Sequence, residues 1–214
     1  MSSVDDVATA LRRLLDKHGH HDVWSGARAI ADEPIHPEER ALYTNVAANN
    51  RRATSTGRVL AREVLRKMGV VAGPMLRGNG GQCAWPVGIV GSLAHDDEFA
   101  VCVVGAGADF AVGVDIEPAA PLPAEIVMDI AVTDVERAAV GNDLVAARLL
   151  FCAKEAVFKA CFPIEGVFFE HADVRLLTAG TLSATATFQT STKRTVDVAM
   201  ARAPRLLAVA RVRF

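Results

Sequence analysis

Four side chains in the middle of the chain combine charge with an apolar setting. Asp115 and Glu117 lie in the run GVDIEP, and Glu155 and Lys159 lie in FCAKEAVFKACF. In a strand, residues two apart point to the same side. Asp115 and Glu117 therefore share a face at the end of a very apolar strand, which Pro118 terminates. Neighbouring carboxylates repel. A hard divalent cation such as Mg²⁺, which prefers oxygen ligands, relieves that repulsion. The alternative is that both acids face solvent while Val114 and Ile116 fill the core.

Glu155 and Lys159 are spaced to stand one helical turn apart on one face, about 6 Å along the axis. Such a pair is commonly a surface ion pair worth a few tenths of a kcal/mol. Here Phe151, Ala153, Ala156, Val157, Phe158, Ala160 and Phe162 leave little polar surface around it. A carboxylate on an apolar helix tends to be paired or metal-bound. Lys154 points about a quarter-turn away from Glu155, which suits a contact to a partner or a nucleotide. His95, in GSLAHD, is expected in a short polar turn at a loop mouth; the alternative is a turn histidine without function. Arg77 lies in the glycine-rich LRGNGG, where backbone can approach a phosphate closely. Arginine suits bidentate phosphate contacts, so Arg51, Arg58 and Arg77 are candidate phosphate cations. Taken singly, each is an ordinary surface residue.

The elements that must hold these groups follow from periodicity. Residues 4–17 carry Val7, Leu11, Leu14 and Leu15 at helical spacing. Pro37 followed by acids opens a second helix. Residues 49–69 form a long amphipathic helix with Gly69 as its C-cap and a basic face. Residues 73–91 are rich in Gly and Pro and are expected as a loop. Residues 99–104 and 110–116 are apolar strands, expected to pair as a hairpin across 105–109. PAAPLP, residues 118–123, breaks the chain and places a lobe boundary at 118, giving lobes 1–118 and 119–214 that act as one compact unit. TDVE, residues 133–136, fits a capping box, and residues 144–161 form the helix of Glu155 and Lys159. From residue 173 onward the runs VRLL, LSATATFQ, TVDVAMAR and LLAVARVRF form an antiparallel meander.

Composition limits the class. The 214 residues carry a net charge of −2, with 51% hydrophobic and 22% charged residues. That is ordinary globular composition, long enough for one domain or two small lobes. No broad basic excess points to nucleic acid. The N-terminus lacks the pattern of a signal peptide. The longest apolar region, residues 99–116, is interrupted by Asp109 and three glycines, so it is no membrane span. A cytoplasmic location is expected. Cys83, Cys102, Cys152 and Cys161 show no paired spacing, so zinc and redox motifs are unsupported and reduced structural thiols are expected. HGHH, residues 18–21, lacks the further ligands a metal site needs.

Together these stretches resemble the 4'-phosphopantetheinyl transferases of the surfactin-synthetase and enterobactin type, and among them the bacterial subgroup that includes the mycobacterial enzymes. The resemblance begins at RRATSTGRVLAR, continues through PMLRGNGGQCAWPVGIVGSLAH and VGVDIEP, and reaches FCAKEAVFKACFP. The last two are its most specific parts. It covers the central two-thirds of the chain. It implies an α+β fold of two similar lobes related by a pseudo-twofold, each an antiparallel sheet packed with helices, with coenzyme A as co-substrate bound between them. It implies transfer of the phosphopantetheine arm to a serine of an apo acyl or peptidyl carrier protein, with adenosine 3',5'-bisphosphate released. Fatty acid, polyketide, siderophore and peptide synthetase carriers all offer such a serine. Residue by residue, Asp115, Glu117 and Glu155 match the Mg²⁺ ligands, with Mn²⁺ as a substitute. Lys159 matches the lysine near the diphosphate, and Glu155 is also the candidate base for the serine proton. His95, Arg51, Arg58 and Arg77 fall where the family places its phosphate and nucleotide contacts. A monomer is implied.

Two departures stand out. Ala94 replaces the usual Ser or Thr before the histidine, with Ser92 nearby. RRATSTGR replaces the usual R-x-E-F-x-x-G-R, so either Arg51 or Arg52 meets the nucleotide. The rival readings are a non-catalytic coenzyme A or carrier-protein binding module and a Mg²⁺-dependent nuclease. The nuclease class usually places Glu and Lys two apart on a strand, not four apart on a helix.

Overall fold

The computed structural model describes residues 2–44, 46–78, 80–166, 168, 170–178, 183–189 and 193–214. The chain runs α1 (Val4–Lys17), β1 (Val23–Ala29), a 3₁₀ segment (Pro37–Tyr43), α2 (Ala48–Lys67), β2 (Ile89–His95), β3 (Phe99–Ala106) and β4 (Phe110–Glu117). It continues through α3 (Val127–Ile130), α4 (Asp134–Val140), α5 (Leu144–Glu165), β5 (Val174–Thr178), β6 (Ser183–Gln189), β7 (Lys193–Ala201) and β8 (Leu206–Arg213). The strands form two antiparallel sheets, a three-stranded one in the order β1-β3-β2 and a five-stranded one in the order β4-β8-β7-β6-β5. The expected α+β fold of two similar lobes is what the chain adopts. Each lobe has a strand, a long helix and closing antiparallel strands, β2–β3 in the first and β5–β8 in the second, whose last strand returns to pair with the first.

The helix ends follow local chemistry. Ser3 and Asp6 form a capping box on α1, and Thr133 and Glu136 form one on α4. Asp143 caps α5 through the amides of Val145 and Ala146. After α2 the chain turns at Gly69 (φ 86°), whose left-handed backbone lets the Val70 amide reach the Leu65 carbonyl at 2.8 Å.

Two sequence expectations are corrected. β3 and β4 do not form a hairpin. β3 already has β1 on one edge and β2 on the other, so β4 crosses through residues 107–109 and pairs with β8 instead. The change of sheet therefore precedes β4. The stretch around Ser92 is no turn: residues 89–95 are β2, with His95 at its end. The glycine-rich loop is correspondingly shorter, and Arg77 and Cys83 form an isolated bridge across it.

Three apolar clusters hold these parts. α2 packs Leu60, Val64 and Leu65 against Ala100, Cys102 and Val104 of β3. The opposite face of β3 (Val101, Val103) meets Val112, Val114 and Ile116 of β4 and the apolar stripe of α1. α5 lies on the far face of the five-stranded sheet. The alternation along β4 places Val112, Val114 and Ile116 in the inter-lobe core, and leaves Gly113 and Asp115 facing α5.

Candidate active site between the lobes

β4 and α5 touch backbone to backbone at Gly113. A Cβ there would stand 2.0 Å from the Ala156 carbonyl oxygen and 2.6 Å from the Ala160 nitrogen. Only glycine tolerates that approach. Two residues on, Asp115 faces the same helix, and Lys159 Nζ donates to its Oδ1 at 2.6 Å. Asp115 is only 5% exposed, and its Oδ2 is buried without a hydrogen-bond partner among the described residues. Glu117 also faces α5, where Arg148 Nη1 donates to its Oε2 at 2.7 Å. The shared face expected from the strand period is therefore present, and it is turned toward α5 and not toward solvent.

Burial shifts these groups. Desolvation raises the pKa of Asp115 above the usual carboxylate range against the opposing Lys159 charge. Lys159 is the less buried partner. Desolvation pulls its ammonium down, but the Asp115 charge and hydrogen bond more than offset that and raise its pKa. Burial likewise raises Glu117. Glu155 goes the other way: burial pushes its carboxyl up, yet the hydrogen bond with His171, helped by Lys159, leaves it lowered. His171 Nε2 lies 2.9 Å from Glu155 Oε1.

Two cavities flank this stretch of α5. A cleft of about 700 Å³ runs between the lobes, lined by Arg58, Arg77, Trp85, His95, Phe158 and Lys159. A groove of about 560 Å³ lies beyond, lined by Met128, Glu155, Phe158, Phe168 and His171. Phe158 borders both. Met128 and Phe168 stand 61% and 71% exposed at the groove, an apolar rim of the kind that covers a partner or an apolar ligand.

The structure thus brings Arg58, Arg77, His95 and Lys159 to one cleft. Arg58 is buried, and its Nε donates to the Met75 carbonyl at 2.6 Å, which pins the loop that carries Arg77. The Met75 amide is held by Glu39 at 2.7 Å. Arg51 is exposed on the first turn of α2 and is not among the described cleft residues; Arg52 lies 3.5 Å from Asp32. Ser92 spends its hydroxyl oxygen on the Val114 amide at 3.1 Å, tying the lobes together. Cys83 lines the cleft, and burial pushes its thiol up to about 11, which disfavours the thiolate.

Lys154 is corrected: it sits behind the wall of the groove and its ammonium is turned into the second lobe. It is buried, with Nζ 3.0 Å from Glu136 Oε1 and 2.9 Å from the His171 carbonyl. Glu136 also accepts from the Thr133 and Leu176 amides at 3.0 Å each. The pair is internal bracing.

Sequence reasoning missed Arg148 and His171. Arg148 had a signal: it lies two helical turns before Glu155, on an apolar helix. His171 had none, because it enters from a short 3₁₀ segment after α5.

For a cation, the donor chemistry of Asp115, Glu117 and Glu155 fits a hard ion, and the buried, unpartnered Oδ2 of Asp115 fits the same need. Among the described residues no three His, Cys, Asp or Glu side chains are grouped closely enough to hold a metal. Asp115 and Glu117 are paired to Lys159 and Arg148, and Glu155 is hydrogen-bonded to His171.

Residues 37–105 match the family described as the 4'-phosphopantetheinyl transferase N-terminal domain, and residues 111–209 match the 4'-phosphopantetheinyl transferase superfamily. The chain belongs to the 4'-phosphopantetheinyl transferase superfamily. It is similar to the 4'-phosphopantetheinyl transferase Svp of Streptomyces mobaraensis, 35% identical over 165 residues, 72% of this chain and 67% of the relative. It is 41% identical over 133 residues to the transferase PptT of Mycobacterium tuberculosis, 60% of this chain and 58% of the relative. Npt of Nocardia iowensis is 36% identical over 137 residues, 62% of this chain and 61% of the relative. The two superfamily matches divide between residues 105 and 111, where the chain crosses from one sheet to the other.

Proposed function

We propose that the chain transfers the 4'-phosphopantetheine arm of coenzyme A to a serine of an apo acyl or peptidyl carrier protein and releases adenosine 3',5'-bisphosphate. The observation that carries this reading, beside family membership, is the inter-lobe cleft with Arg58, Arg77, His95 and Lys159 on its walls. Four cationic or hydrogen-bonding groups facing one cavity suit a multiply phosphorylated ligand. The adjoining groove, with its apolar rim, suits the pantetheine arm and the carrier that receives it.

Arg58, Arg77 and His95 would hold the nucleotide end, so that binding energy remote from the reaction orients the reacting phosphorus. Lys159 would meet the charge that develops as the bisphosphate leaves. The carrier serine oxygen forms a new bond to the β-phosphorus of coenzyme A, the bond from that phosphorus to the leaving bisphosphate breaks, and Glu155 takes the serine proton. A bound Mg²⁺ or Mn²⁺, held by Asp115, Glu117 and Glu155, would neutralise diphosphate charge. The reading includes a monomer acting in the cytoplasm. Among the described residues no helix is long and apolar enough to cross a membrane.

The test is mass spectrometry of an apo carrier incubated with coenzyme A, Mg²⁺ and the protein. A gain of one phosphopantetheine is expected, with Glu155→Gln slower by about a hundredfold or more. Full transfer by Asp115→Ala or Glu155→Ala removes the assigned roles. Coenzyme A binding without mass gain supports a binding module, and DNA cleavage without mass gain supports a nuclease.

A further inference from the structure

The Glu155–His171 contact is not required by the sequence pattern that carries the fold, and it lies on the wall of the groove. We propose that His171 is a positioning residue for Glu155: it holds one carboxylate oxygen and so fixes the other for the substrate. The proposal rests on the transferase reading above.

Three contacts fix the imidazole. The His171 carbonyl accepts from Lys154 Nζ at 2.9 Å, and Lys154 is itself locked by Glu136 inside the second lobe. The 3₁₀ segment His171–Asp173 is thereby tied to the core, not to the surface. The Phe151 ring packs on the imidazole, with centroids 5.2 Å apart and an angle of 34° between planes. Nε2 then meets Glu155 Oε1 at 2.9 Å. A carboxylate only accepts, so Nε2 carries the hydrogen. Glutamate is a long side chain with several staggered torsions, and at a cavity wall it costs entropy to hold in one arrangement. A donor mounted on a rigid support meets that cost before the substrate arrives.

The same segment explains why Lys154 is buried beside a glutamate that faces the groove. Lys154 braces the backbone that carries His171, and His171 braces Glu155. Neighbouring residues of one helix thus act on the site from inside and outside the core.

Both partners are partly exposed, at 32% and 29%, so the contact adds little to global stability. A positioning role and a structural role therefore separate. The experiment measures kcat and KM for His171→Ala and His171→Gln with coenzyme A and an apo carrier. His171→Ala is expected to lower kcat about tenfold, with KM for coenzyme A changed less than about twofold. His171→Gln, which retains an N–H donor, is expected to recover most of that loss. An unchanged kcat in His171→Ala overturns the proposal, as does a glutamine variant as slow as the alanine one. A second measurement is independent of catalysis. In a double-mutant cycle of His171→Ala with Glu155→Ala, the unfolding equilibrium constant should depart from additivity by at least about twofold. Strict additivity overturns the proposal. If the unaltered protein adds no mass to any carrier, the transferase reading falls, and the cycle still decides whether His171 holds Glu155.

Discussion

In the first lobe β1 leads into α2, and β3 returns to pair with β1; in the second, β4 leads into α5, and β8 returns to pair with β4. The correspondence reaches individual residues. Gly26 of β1 faces Leu60 and Val64 of α2, as Gly113 of β4 faces Ala156 and Ala160 of α5. Two residues beyond each glycine is a charged side chain paired to the residue before the second helix contact. In the first lobe this is Arg28 with Glu63 at 2.9 Å, and in the second Asp115 with Lys159 at 2.6 Å. The signs are inverted. Arg28 is also bound to Glu33 at 2.6 Å, so its pair is closed. Asp115 keeps one oxygen unpartnered, and Lys159 opens onto the cleft. One frame thus serves as a fastening in one lobe and as a candidate reactive site in the other.

The largest effect should come from the buried carboxylates, which the lobes also share. Glu39 holds the Met75 amide and is paired to Arg62; Glu136 holds the Leu176 amide and is paired to Lys154. Lys154 is wholly buried, whereas Arg62 is partly exposed. Lys154→Ala should destabilise by about 3–5 kcal/mol in urea unfolding, because it strands a buried charge. Arg62→Ala should cost about 1–3 kcal/mol. Equal losses would break the comparison.

Next come the two glycines. Gly113→Ala forces a methyl against backbone and should cost about 3 kcal/mol or more. Gly26→Ala meets only side-chain ends, at 2.8 Å from Val64 and 3.1 Å from Leu60, and should cost about 1 kcal/mol. Gly113→Ala should also slow transfer beyond its effect on stability, by moving Asp115 from Lys159.

A smaller effect is expected at the inverted pairs. Glu63→Gln should change stability by less than about 1 kcal/mol, the usual range for a partly exposed pair, and leave the transfer rate unaltered. Lys159→Gln should abolish transfer. A rate loss of similar size in both would show that the two pairs are equivalent after all.

The smallest effect concerns the seam between lobes, where Arg211 of β8 donates to both oxygens of Asp22 at 2.7 and 2.6 Å. The Arg211 hydrogen bond lowers the Asp22 pKa below 3.8, against a desolvation that raises it. A carboxylate with a lowered folded pKa stabilises above its unfolded value and loses that contribution as pH falls through the folded one. The difference in unfolding free energy between the unaltered protein and Asp22→Asn should therefore be a few tenths of a kcal/mol near neutral pH, given its exposure. It should vanish in acid. A difference that grows below pH about 4 would contradict the sign.

Much of this architecture was legible beforehand. The amphipathic periods of α1 and α2, the TDVE capping box and the terminal meander each have a strong local cause. So did the shared face of Asp115 and Glu117, because a strand has no other way to place residues two apart. β2 was hidden because Gly91, Ser92 and Ala94 are too small to write an apolar alternation. The β3–β4 crossover was hidden because local sequence cannot tell that both edges of β3 are taken by strands before it. Lys154 was misjudged because its partner, Glu136, comes from another helix. His171 depended on the same tertiary contact.

The pairing of β4 with β8 has a further consequence for how the chain is made. β4 is the edge strand of its sheet, and β8 is its hydrogen-bonded neighbour. About ninety residues of synthesis separate Glu117 from Leu206. A nascent chain therefore carries the apolar strand of Asp115 with its backbone unpaired while α5 and the meander emerge. Unpaired apolar strands invite association with other chains. The strand first finds its partner when β8 has emerged.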